Sequence, residues 1–362
     1  MFKKVLKGIK WFFISILGII VLFILICFIG RGINSITPKN GINESRYVDI
    51  NGTKQWISIY SENKDNPVLL YVHGGPFYPT SAFDFPMMKK LGKEYTVVNW
   101  DQRGVGHNYK KYPAEGKITS DVMIEDGKEM TKYLKETFGV DKIVIWGSSA
   151  GSVVAARLIA DNPENYYAFL GTSAVEAPVN MRTTFKEVML EKYKDDPDTV
   201  ALLEKYDPDT ENNLDIDMEA KVKERCSVKD GLKGADFNLL TAMMFNPYAG
   251  LNEICLAIMP LSYDNYLDYR YMILPEEYHA QFTREIFPSD VKEFKVPLYY
   301  LLGKKDEAPG SNHYAMEKYI DSITAPEKEV RFVEGGHYTA TLESETVKEY
   351  LHDIKEKNIN NK

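Results

Sequence analysis

The first pattern in the chain is an uninterrupted apolar run at residues 11–30, WFFISILGIIVLFILICFIG, with no charged position. As a helix rising about 1.5 Å per residue, it spans roughly 30 Å, the thickness of a bilayer's hydrocarbon core. It is apolar on every face, unlike a soluble helix with one core-facing stripe. The run therefore predicts a transmembrane helix. Lys3, Lys4, Lys7 and Lys10 precede it, and only Arg31 and Lys39 follow closely. The positive-inside bias then places the N-terminus in the cytoplasm and everything after residue 30 outside. The run is long for a cleaved signal peptide and no small-x-small site closes it. Ile26 is bulky where a lipoprotein anchor at Cys27 would want a small residue. The expectation is an uncleaved signal anchor, single-pass, at the cell membrane.

Beyond it the pattern changes. Residues 31–43 are polar, with Gly32, Pro38 and Gly41, and are expected to be a linker. RYVDI and KQWISIY alternate around Asn51-Gly52, a hairpin signal. PVLLYV (67–72), YTVVNW (95–100) and KIVIW (142–146) are continuous apolar runs, as strands buried on both faces require. Between the last two, Val122, Ile124, Met130, Tyr133 and Leu134 recur at helical spacing and Gly139 ends the segment. A helix is expected after Ser149, then strands at AFLGTS, VPLYYLLG (296–303) and EVRFVE (329–334), with a helix between the last two and a final one at 343–355. Strands alternating with helices predict a mostly parallel sheet with helices on both faces. Residues 175–290 break the rhythm; they look helical and acidic, with turns at DDPD, YDPD and FNPY, and are expected to be an inserted cap. The expected divisions are 1–30 stub and anchor, 31–43 linker, 44–174 core, 175–290 cap and 291–357 core.

Composition changes this picture little. The chain has 362 residues, 44% of them apolar, and a net charge of −8. That charge argues against a nucleic-acid partner, because phosphate binding wants a basic face. The 3 cysteines make neither a disulfide framework nor a zinc site. Cys226 and Cys255 are expected as free thiols, with pairing open if the domain is exported.

Candidate chemistry sits just after the strands, where ligands bind in an open α/β sheet. Ser149, between Gly147 and Gly151 at a strand-to-helix corner, has the setting of a nucleophile elbow. A serine hydroxyl needs a base within reach. Of the 6 histidines, His337 follows the last strand on the glycine-flanked loop GGHY. His73 is expected to order its own glycine-rich loop. The acid that orients the base is expected to be Asp306 in GKKDEAP, with Glu307 its neighbour. The chain order is then Ser, Asp, His. An oxyanion hole needs two N–H donors. Ala150 opens the helix after Ser149, and Gly75 qualifies where Pro76 has no N–H.

HGGP, DQRGVG, WGSSAG, GKKD and GGHY, in this order over residues 44–355, resemble the proline iminopeptidase-like branch of the α/β-hydrolase superfamily. The resemblance implies Ser149, Asp306 and His337 as a triad, Gly75 and Ala150 as the oxyanion hole, and a mainly structural role for Asp101 and Arg103. It implies an aminopeptidase acting on short peptides by an acyl-enzyme route, without metal or organic cofactor. A carboxylesterase or lipase-like hydrolase is the alternative, and a non-catalytic binding protein on the same scaffold a remote one. Phe77 stands where such proteins have glycine, and Ala150 where they have tryptophan; both alter the pocket wall. Family aminopeptidases hold the substrate amine with cap carboxylates, and Glu176 is a candidate for that role here.

Overall fold

The computed structural model describes residues 2–75, 79–177, 181–208, 215–227, 238–250 and 291–360. Strands β1 (Ile42–Ile50), β2 (Thr53–Ser61), β3 (Val68–Val72), β4 (Thr96–Asp101), β5 (Ile143–Ser148), β6 (Tyr166–Thr172) and β7 (Leu298–Gly303) are followed by a small hairpin and a last strand. The hairpin is β8 (Glu307–Ala308) with β9 (Ser311–Asn312), and the last strand is β10 (Lys328–Val333). Numbered through the described residues, the helices begin with α1 (Phe2–Asn34), α2 (Phe85–Leu91), α3 (Asn108–Lys111), α4 (Ser120–Phe138) and α5 (Ala150–Asp161). Then come α6 (Met181–Lys192), α7 (Pro197–Lys205), α8 (Ile216–Cys226) and α9 (Leu239–Phe245). The chain closes with α10 (His313–Ser322), α11 (Thr339–Leu342) and α12 (Ser344–Lys355).

Eight strands form one sheet in the order β1-β2-β4-β3-β5-β6-β7-β10. β1, β2 and β4 pair antiparallel; the rest pair parallel. The fold is thus the α/β-hydrolase arrangement that the sequence led us to expect, with the hairpin at one edge. Asn51 and Gly52 both take positive φ, 48° and 73°, as a two-residue turn matched to the strand twist requires.

The apolar runs are continuous because successive residues feed two cores. Leu70, Val98, Ile145, Tyr300 and Leu302 enter the cluster on one face of the sheet. Leu69, Val97, Val144, Tyr299 and Leu301 enter the cluster on the other. Each such burial contributes about 1.5–3 kcal/mol, so replacing any of these apolar side chains by a polar one costs stability on one face or the other. α4 begins at Thr119, whose side chain accepts from the Val122 N–H, and ends at Gly139 in the left-handed region at φ 63°. α2, α3 and the β8–β9 hairpin were not foreseen. Each has at most seven residues, too few to show a period.

α6 to α9 lie between β6 and β7, and α6, α7 and α8 share a core of Phe185, Met189, Leu203, Tyr206, Val222 and Cys226. Cys226 is a free thiol there, while Cys255 and much of the 175–290 stretch fall outside the described residues. α1 is long and apolar enough to cross a membrane, and its apolar stretch is not buried against the rest of the chain. It runs on through Asn34, and β1 starts at Ile42, so the two ends of the 31–43 stretch lie in regular elements.

Candidate active site

Strand register brings the chemistry to one edge. Val72 of β3 pairs with Gly147 of β5, Ser148 with Thr172 of β6, Thr172 with Leu301 of β7, and Gly303 with Val333 of β10. Loops leaving the carboxyl ends of these strands therefore start side by side.

Ser149 takes φ 50° and ψ −127° between β5 and α5. A residue with a Cβ reaches this region only under strain, which the surrounding packing must hold. The strand ladder pins the bend, with Ser149 N donating to Thr172 O at 3.0 Å and Ser152 N to Ser149 O at 2.9 Å. The flanking glycines are required sterically. A Cβ on Gly147 would meet the Ser152 backbone at 2.5 Å, and one on Gly151 would collide with the Val72 and His73 carbonyls. Ser149 does not cap α5 with its side chain. Its Oγ instead lies 2.9 Å from His337 Nε2.

His337 Nδ1 lies 2.7 Å from Asp306 Oδ2, and Ser311 Oγ donates to the other Asp306 oxygen at 2.9 Å. Nδ1 facing a carboxylate fixes the tautomer with the proton there, leaving Nε2 to accept from Ser149. Burial pulls the imidazole pKa down, but the Asp306 charge and hydrogen bond outweigh it, so the net shift is upward from 6.5. Glu307 is turned elsewhere, accepting from Lys192 Nζ at 2.6 Å and from the Tyr314 hydroxyl. The structure thus brings Ser149, His337 and Asp306 together and leaves Glu307 out.

Gly74 lies against the elbow: a Cβ there would be 2.9 Å from Ser148 O and from Ser149 Cβ. Gly75 follows with φ 135°, open only to glycine. Ala150 heads α5, where the first N–H groups of a helix have no intrahelical partner. Pro76 and Phe77 lie outside the described residues. His73 accepts at Nε2 from the Gln102 N–H at 3.3 Å, while the Gln102 amide donates to His73 O at 3.2 Å. His73 therefore ties the β3 loop to the β4 loop. Asp101 accepts from the Ser81 hydroxyl at 3.0 Å and from the His107 backbone N–H at 2.8 Å, and faces His107 Nδ1 at 2.8 Å. Arg103 forms a two-pronged pair with buried Asp126 at 2.7 and 2.8 Å. Both side chains brace loops and touch none of the three residues above.

Three contributors escaped the sequence. Ser173, at φ 49°, donates its hydroxyl to His337 O and so holds the His337 backbone. Ser311 steadies Asp306. Gly303 lets β7 approach the His337 loop, since a Cβ there would be 2.5 Å from Gly336 O. Positive φ at a serine leaves no mark in sequence; the glycines of GGHY were the only visible signal. Of the other histidines, His313 pairs with Glu317 and His352 with Glu94, and His279 lies outside the described residues.

Glu176 is 1% exposed, and neither carboxyl oxygen has a well-formed hydrogen bond among the described residues. Burial pushes it up to about 8, against smaller pulls from its own N–H and the Ser152 hydroxyl. Its sequence neighbours Ala174, Val175 and Ala177 belong to the apolar core, and its carboxyl group acts on the buried Tyr300 and Tyr319, adding to the rise in pKa that burial gives both phenols.

The family described as alpha/beta hydrolase fold matches residues 67–341. The protein named "Probable aminopeptidase YbaC" of Bacillus subtilis is 33% identical over 149 residues, 41% of this chain and 47% of that one. The "Proline iminopeptidase" of Saccharolobus solfataricus is 29% identical over 161 residues, 42% of this chain and 48% of that one. The chain thus spans about half the length of these curated relatives. Among solved structures, a proline iminopeptidase-related protein of Thermus thermophilus superposes with a TM-score of 0.53 at 18% identity, covering 88% of this chain and 99% of that one.

Proposed function

The chain belongs to the alpha/beta hydrolase fold family, and on that premise we propose that it is a membrane-anchored serine hydrolase using Ser149, His337 and Asp306. The observation that carries this reading is the placing of His337 between Asp306 at 2.7 Å and Ser149 Oγ at 2.9 Å. Neutral His337 takes the Ser149 proton as Oγ attacks the substrate carbonyl carbon. The Gly75 and Ala150 N–H groups receive the oxygen as it gains negative charge, aided by the α5 dipole. The imidazolium then gives its proton to the leaving group, and an ester to Ser149 remains. Water, deprotonated by His337, attacks that ester; the bond to Oγ breaks, the imidazolium returns its proton to Ser149 Oγ, and the acid leaves.

The names of the two relatives support an aminopeptidase of proline iminopeptidase type acting on short peptides. One observation favours the second reading, a carboxylesterase or lipase-like hydrolase. Glu176, the candidate to hold a substrate amine, is fully buried, and burial raises its pKa to about 8, which disfavours the charged carboxylate that would pair with an amine. Acylation efficiencies for N-terminal aminoacyl amides and short-chain esters, measured side by side, decide between them. Efficient acylation by esters and none by aminoacyl amides would sink the peptidase reading. The proposed topology has α1 across the membrane, Lys3 to Lys10 in the cytoplasm and the catalytic unit outside.

A further inference from the structure

The end of α1 is built into the catalytic unit. Gly30 is the last residue of the uncharged run, and it lies against the Phe245 ring so closely that any Cβ would collide with it. Arg31 donates to Met244 O and Ala249 O at 2.9 Å each and to Met243 O at 3.4 Å. These include last-turn carbonyls of α9, which lack intrahelical partners and carry the negative end of the helix dipole. Asn34 donates to Phe245 O at 2.9 Å and accepts from Lys89 of α2 at 3.2 Å. Asn43 of β1 donates to Asn34 O and Ile36 O, both at 2.9 Å. The joint therefore grips the cap helix and the core together, at the level where the apolar run ends.

The tie continues inward. Just after α9, the Asn246 amide donates to Ser81 O and Ala82 O at 2.7 and 3.0 Å. Tyr248 O lies 3.0 Å from His107 Nε2. Those partners lie on the loops after β3 and β4, and the first of these loops packs against Ser149 through Gly74.

Both elements that meet at this joint carry exposed apolar side chains. Beyond residue 30, the large exposed hydrophobics among the described residues are Ile33 (61%), Ile36 (67%), Leu240 (53%), Phe332 (38%) and Tyr338 (53%). The first two sit on the last turn of α1 and just past it. Leu240 is on α9, about 8 Å along the helix from Phe245. Apolar groups left bare beside a membrane-spanning run are at the depth where an interfacial helix buries its apolar face.

We propose that Ile33, Ile36 and Leu240 form a bilayer-contact surface, and that the catalytic unit is seated on the lipid–water interface in one orientation rather than tethered above it. The partner is the interfacial layer of a phospholipid bilayer. The inference rests on the membrane-anchored reading above. It differs from a plain anchor because the grip of Arg31 and Asn34 on α9 leaves no free linker between bilayer and enzyme.

The test uses the full chain in phosphatidylcholine vesicles, with and without lipids brominated near the headgroup end of the acyl chains. Trp11 in the unsubstituted chain reads the anchor. Ile36→Trp and Leu240→Trp, each with Trp11→Phe, read the surface. Phe332→Trp in the same background reads the β10 edge, at the other end of the sheet. Emission from Trp56, Trp100 and Trp146 is subtracted with the Trp11→Phe parent. The expected result is quenching by about half or more at 36 and 240, with little at 332, because an interfacial apolar face is buried about 5–10 Å into the headgroup–acyl boundary, where these bromines lie. Quenching of Trp11 with none at 240, whatever happens at 36, overturns the proposal and leaves the anchor standing. An unquenched Trp11 overturns the anchor itself, and the docking surface with it.

Discussion

His337 faces Asp306 across 2.7 Å, while Glu307, the next residue, turns to Lys192 on α6. Adjacent carboxylates thus serve different elements. Asp306→Asn should cut turnover by about four orders of magnitude with binding nearly unchanged, because the imidazole loses its correct tautomer. Glu307→Gln should leave turnover within a few-fold and cost some cap stability. Steady-state kinetics on both variants provide the check. A mild Asp306→Asn beside a damaging Glu307→Gln would reverse the assignment.

The same pair sets the pH response. Burial lowers the His337 pKa, but Asp306 raises it further, so the net value lies above 6.5. Only the neutral imidazole accepts the serine's proton. The acylation rate should therefore fall as pH drops, with its midpoint above 6.5 in the free enzyme. Residual activity of Asp306→Asn should show that midpoint displaced downward. A wild-type midpoint well below 6.5 would mean that another group limits the rate.

Ser149→Ala should lower turnover by on the order of a million-fold without unfolding the protein. Ser148 differs in kind: its hydroxyl is buried, 2.7 Å from Thr341 Oγ1. Ser148→Ala should keep activity and lose about 1 kcal/mol of stability, the usual net worth of one hydrogen bond. Labelling by an active-site-directed fluorophosphonate, read alongside thermal melts, separates the two. Labelling that survives Ser149→Ala would remove Ser149 as the nucleophile.

Glu176 gives a stability test. Its folded pKa is raised to about 8 from an ordinary 4.5, so the folded state holds a proton that the unfolded chain has released. Stability from this group is fully present below 4.5 and is lost as pH rises through about 8. Glu176→Gln removes the titration. The variant should melt several degrees higher than wild type at about pH 9 and close to it at about pH 4.5, a difference of a few kcal/mol at most. Parallel pH profiles of melting temperature for the two proteins would contradict the burial argument.

Orientation is testable on intact cells. Protease added outside should digest the chain beyond Arg31 and spare the lysine-rich stub before Trp11. Protection of the catalytic unit until lysis would invert the topology. A mature N-terminus near residue 30 would instead mean cleavage.

Much of this was legible in the chain. Runs such as LLYV and VIW fit strands flanked by two cores, since alternate residues of a strand face opposite ways and both sets are apolar. Asn51-Gly52 and Gly139 announced a turn and a helix end because positive φ costs such residues least. The elbow was visible because glycine must flank a bend where backbone meets backbone. What the tertiary structure decided lies where partners are far apart in sequence. Which of Asp306 and Glu307 meets His337 depends on the β7 and β10 register and on Lys192 of the cap, none of it encoded near residue 306. The burial of Glu176 is set by the packing of the segment after β6 into the core, so the same residue type that is usually solvated becomes an interior group whose charged form is disfavoured. Arg31 looked like a flanking charge in a linker, and its carbonyl partners are more than 200 residues away. Local steric rules act within a few residues and can be read from sequence; the pairing of side chains across the fold depends on how those pieces close on one another.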